Sequence, residues 1–154
     1  MFLQILVGTC LLVTNITIAA VAAMLMELAF LRLHPWLLRP PHRPKLVLLL
    51  AGVSVAILAV ITVAVWVWAI AFWYLEGFGT LEEALYFALV AFTTLGLGDV
   101  VLPHAWRILA GMAAANGFLH FSLLTALLIE ALRQVRLAQW QHKVSRPGDA
   151  PKAE

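Results

Sequence analysis

Thr93-Thr94-Leu95-Gly96-Leu97-Gly98-Asp99 is the stretch on which the reading of this chain turns. It follows a short apolar segment, Leu85 to Phe92, and precedes a proline and a long hydrophobic run. Gly96 and Gly98 stand at alternate positions, and a residue without a Cβ takes positive φ at little steric cost. If these two alternate in handedness with Leu95 and Leu97, successive carbonyl oxygens all face one side. One chain then supplies one column of oxygens. Four chains around an axis would supply rings of oxygens that replace the water shell of a cation. Thr94 adds a hydroxyl at the inner end of the column.

A nucleotide-binding loop and a plain turn are the other readings of such glycines. A dinucleotide fingerprint needs a preceding strand and a third glycine. Here a helix-like segment precedes the glycines, and Val101 stands where the third would be. A plain turn explains the glycines but not the apolar context on both sides.

That context is a membrane context. Of the 154 residues, 64% are hydrophobic, and the mean hydropathy is +0.97, beyond what a soluble domain of this size requires. Three runs are nearly free of charge: Phe2 to Leu31, Leu46 to Leu75, and Ile108 to Ile129. A spanning helix takes about 20 such residues. The expected fold is an all-α membrane protein with three transmembrane helices. Between helices 2 and 3 lie a short re-entrant helix and a loop. The first run has no basic residue before Arg32, so it reads as a retained helix rather than a cleaved leader. Cys10 is the lone cysteine and excludes an intrachain disulfide.

Four segments follow in order: an N-terminal helix over 1–31, a basic loop over 32–45, a central module over 46–132, and a basic tail over 133–154. Glu27 is expected to pair with Arg32 or to reach the interface. The loop carries Arg32, Arg39, Arg43 and Lys45, and its four prolines are expected to preclude a continuous helix. Trp36 and Trp140 suit the lipid surface. By the positive-inside rule the loop and tail are cytoplasmic. Glu82 and Glu83 then fall on the opposite side, with the N-terminus outside. Gly77-Phe78-Gly79 reads as a turn. Thr80 and Glu83 form a capping box that opens a helix from Leu81 to about Thr93, too short to span. A re-entrant helix of this kind would direct the negative end of its dipole inward, favouring a cation. The tail from Ser145 onward is expected to be disordered.

Thr94-Leu95-Gly96-Leu97-Gly98-Asp99 resembles the selectivity filter of potassium channels, whose usual pattern is T-V-G-Y-G-D. The threonine, both glycines and the aspartate match. Leu97 replaces the aromatic residue, and Val90 stands where some members carry a carboxylate brace. The resemblance covers about Leu46 to Leu132, as outer helix, pore helix, filter and inner helix. It implies potassium held at Thr94, Leu95, Gly96 and Leu97, with Gly98 completing the filter. Thr93, Phe87, Tyr86 and Asp99 would support it, Tyr86 by a hydrogen bond to Asp99 or by ring packing alone. Gly117 falls near the place where the inner helix of such channels bends, although close packing also accounts for it. Asn116 and His120 share one helix face. In a channel they would line the cavity below the filter, and a protonated His120 would repel cations; an interhelical hydrogen bond is the other role open to them.

The resemblance implies a homotetramer in the lipid bilayer, passive potassium transport, no cofactor beyond the permeant ion, no enzymatic activity and no nucleic acid. A cell membrane, of the prokaryotic inner type, suits the compact form. A weakly selective monovalent cation channel and a non-conducting channel-like partner subunit are the alternatives. The five histidines are scattered and offer no metal-ligand pair.

Overall fold

The structure, a computed structural model, describes residues 2–37, 42–75 and 77–144. Among them are four α-helices: α1 Phe2–Leu37, α2 His42–Tyr74, α3 Leu81–Phe92 and α4 Arg107–Val144, with a short 3-10 turn at His104–Trp106. Stretches of α1, α2 and α4 are long and apolar enough to cross a membrane: Phe2–Arg32, Val47–Tyr74 and His104–Gln134. Many of their leucines, isoleucines and valines face outward, as lipid-facing side chains do.

Two expected boundaries are corrected. The prolines do not open a loop over 32–45, because α1 continues through Pro35 to Leu37 and α2 already begins at His42. Pro44 sits in the first turn of α2, where backbone N–H groups have no helical partner in any case. Pro35 lies in the last turn of α1, where it removes one backbone hydrogen bond to the preceding turn. Residues 38–41 lie outside the described residues, as do the side chains of Trp36 and Trp140. The second correction is at the other end. No break falls near Leu132, since α4 runs on to Val144. The sequence offers no glycine or proline there until Pro147, and Arg, Leu, Ala and Gln favour helix. The tail expected to be disordered lies outside the described residues.

α1 and α4 pack in parallel. The amide of Ile108 donates to Gln4 Oε1 at 3.4 Å, and a Cβ on Gly8 would overlap the sulfur of Met112. Farther along, Ala19 packs with Leu124 and with Val60 of α2. Gly8 and Ala19 are small, and small residues let helices approach closely in a bilayer, where packing rather than water exclusion drives association.

α3 is held between α2 and α4. Trp68, Phe72, Phe87 and Phe92 are buried at this junction, with Phe72 edge-on to Phe87 at 5.2 Å. Such a ring pair contributes about 0.5–1.5 kcal/mol beyond its buried area. On the other flank, Gly117 of α4 presses against the Phe92 carbonyl, which any Cβ would overlap. α4 is helical through this point, and close packing against α3 requires a residue without a Cβ at Gly117. At its start, α3 is capped as the sequence predicts: the Thr80 hydroxyl accepts from the Glu83 amide at 3.2 Å. Gly77 closes the preceding turn by donating to the Phe72 carbonyl at 3.1 Å.

Candidate functional site

α3 ends at Phe92, and the chain turns back over its last carbonyls. Thr93 closes the helix: its amide donates to Leu89 O at 3.0 Å and its hydroxyl to the same oxygen at 2.8 Å. The next three amides also point back toward α3. Thr94 donates to Ala91 O at 2.9 Å, and Leu95 and Gly96 donate to Val90 O at 3.0 and 3.4 Å. Across a trans peptide each N–H is antiparallel to the preceding carbonyl. The carbonyls of Thr93, Thr94 and Leu95 therefore point away from α3, on one side of the loop. An ordinary strand would turn successive groups to opposite sides.

Backbone handedness makes this possible. Positive φ occurs at Thr94 (59°), Gly96 (60°) and Gly98 (79°), alternating with Leu95 and Leu97. The two glycines adopt the conformation their spacing suggested. Thr94 does so at a cost of about 1–2 kcal/mol, because a Cβ crowds the following carbonyl. The bonds from Thr94 and Leu95 to α3 hold it there. Val90 was noted only for the carboxylate it lacks, yet its main-chain oxygen is the shared acceptor for this turn.

The far end of the loop is tied by side chains. The Tyr86 hydroxyl donates to Asp99 Oδ2 at 2.6 Å. This bond holds the Asp99 carboxyl below its ordinary value of 3.8 and raises the Tyr86 phenol above 10.0. Phe87 is buried against Phe72 and Phe78. Thus the two adjacent aromatics divide their work: one ring packs and the other bonds. Leu95 and Leu97 remain 63% and 59% exposed in the single chain.

Asn116 and His120 are placed differently from expectation. They are 0% and 1% exposed, under α1 and the end of α3. His120 Nδ1 lies 3.1 Å from the Asn116 carbonyl, its ring meets Phe92 at 5.6 Å, and it lies beside the Asn15 backbone. A side chain that lines a cavity between chains has to be exposed in the single chain, so this pair does not line one. The opposite face of α4 carries Phe118, Ser122 and Thr125, all exposed. Asn15 of α1 is buried in the same seam, its amide donating to Leu11 O at 3.2 Å. Glu27 forms no bond with Arg32 among the described residues; the ion pair found there is Glu130 with Arg133 at 3.8 Å.

The loop thus lies between two long apolar helices, α2 and α4. The family model described as ion channel matches residues 48–134. The chain belongs to this ion channel family. The match covers most of α2, all of α3 and the loop, and α4 as far as Gln134, leaving α1 outside it. With three helices able to span, this ion channel is a multi-pass membrane protein. No curated protein and no solved structure matches the chain.

Proposed function

We propose that the protein is a passive potassium-selective channel whose pore is shared by four copies around a cyclic axis. The observation that carries this reading is the run of three carbonyls turned away from α3, at Thr93, Thr94 and Leu95, with left-handed backbone at alternate positions beyond. One such run contacts an ion from one side only, so several copies are needed to surround it. Potassium would be held at Thr94, Leu95, Gly96 and Leu97, with Gly98 and Asp99 leading out. α3 enters the bilayer and returns on the same side, and its non-helical sequel is sheltered by neighbouring chains. The exposed face of Phe118, Ser122 and Thr125 lines the cavity below. The membrane is the cell membrane, with the N-terminus outside and the C-terminus cytoplasmic.

Leu97 favours a second reading, a weakly selective monovalent cation channel. Its side chain carries no polar atom with which to tie the filter to its surroundings, so the width of the rings rests on packing and on the Tyr86–Asp99 bond.

Flux from protein reconstituted in liposomes, with potassium and sodium gradients run separately, tests both readings. A methyl group at Gly96 enters open space but opposes φ of +60°, at about 1–2 kcal/mol in each chain. Gly96→Ala is expected to abolish potassium flux with helicity unchanged. Undiminished flux in this variant would overturn the filter assignment, and sodium flux equal to potassium flux would select the second reading.

A further inference from the structure

Beyond the contact of Ala19 with Leu124, the three long helices part. They leave between them a partly open cleft of about 840 Å³, within the range of sites that hold small molecules. Its room comes from small side chains, among them Ala23 of α1 and Gly52 and Ala56 of α2. A Cβ added at Gly52 would meet no atom within 4 Å.

The wall is apolar except for one group of side chains: Glu27 from α1, and Glu130 and Gln134 from α4. Gln134 donates to Glu130 at 3.2 Å. Arg133 reaches Glu130 only at 3.8 Å, and its side chain is 70% exposed. Glu27 has no hydrogen-bonding or ionic partner among the described residues, and none of the described lining residues is basic. Both carboxylates are exposed in the single chain and lie near the ends of stretches long and apolar enough to cross a bilayer, where an unpaired charge facing lipid is costly.

An occupant that satisfies both features has an apolar body and one positive charge. The geometry points to a binding site for an amphiphilic ammonium cation, entering from the bilayer between α1, α2 and α4. Its chain lies on the alanine and glycine wall, and its ammonium group sits between Glu27 and Glu130. A neutral amphiphile fills the same volume but leaves Glu27 unpaired. The site is separate from the filter and stands whether or not the protein conducts.

Binding of dodecylammonium to the full chain in nanodiscs of neutral lipid, with empty nanodiscs subtracted, is the test. The expected result is saturable binding that weakens about tenfold or more in Glu27→Gln with Glu130→Gln, the loss of a charge-assisted contact. Gly52→Leu, which fills the cavity and leaves both carboxylates in place, is expected to weaken it as well. Circular dichroism identifies a variant that has not folded. Equal binding of neutral dodecanol, or binding unchanged in both variants, would overturn the proposal. Displacement by added phosphatidylethanolamine, itself an ammonium amphiphile, would support the site and name a lipid headgroup as its occupant.

Discussion

Tyr86 and Asp99 form a side-chain tie across the loop, and its chemistry sets a pH window. The bond lowers the Asp99 pKa and raises that of Tyr86. The Asp99 contribution is present above the ordinary carboxyl range and fades as pH falls through the lowered value. That of Tyr86 is present below the ordinary phenol range and is lost as pH rises through the raised value. Between these limits nothing in the pair titrates. Selectivity for potassium over sodium is therefore expected to stay flat from about pH 5 to about pH 9. Tyr86→Phe keeps the ring and removes the donor. Its reversal potentials in mixed potassium and sodium should shift toward equal permeability, across that whole range and with helicity unchanged. A variant as selective as the parent would show that Tyr86 only packs. At this scale the sequence was informative where a residue's own chemistry decides: glycine for positive φ, threonine for a helix cap. It was silent on Thr94, whose left-handed backbone is set by where the Ala91 and Val90 carbonyls lie.

Helices were legible as elements, and their neighbours were not. Run length gave three spanning helices, and Thr80 with Glu83 gave the start of α3. The ends of α1 and α4 were misjudged because proline was read as a breaker wherever it falls, and because charge was read as the end of a helix. Which face of α4 meets what depends on α1, a helix that no local pattern assigns to it. Asn116 and His120 lie four apart, and a polar pair at that spacing fits a cavity or a helix contact equally well. In the structure both are buried beside α1, with Asn15 in the same seam, and the Asn116 side chain makes no hydrogen bond among the described residues. This makes an element-scale prediction. In a Cys10→Ser background, His120→Cys is expected to resist a charged, membrane-impermeant thiol reagent, and Ser122→Cys to react from the cytoplasmic side and reduce flux. Rapid modification at His120→Cys would restore the cavity role to that face.

At the scale of the molecule, parallel packing of α1 on α4 constrains topology independently of charge. Ile108 bonds to Gln4 and Ala19 packs with Leu124, so both helices run the same way and α2 returns between them. Whichever side holds the N-terminus then holds the segment from Asp99 to His104. Charge chooses the side. Glu82, Glu83 and Asp99 fall there, and Arg32, Arg43, Lys45, Arg133 and Arg136 lie toward the opposite end, the end we propose as cytoplasmic by the positive-inside rule. In intact cells, again with Cys10→Ser, His104→Cys and an N-terminal tag should both react with impermeant reagents, and a C-terminal tag should react only after lysis. The proposed pore requires copies, and Leu95 and Leu97, exposed in the single chain, would then be covered by other chains or stand beside the pore. Mild cross-linking in membranes is expected to end at four chains. A ladder that stops at two would leave the carbonyl run facing no closed ring, and with it the channel-like partner that does not conduct would become the better reading.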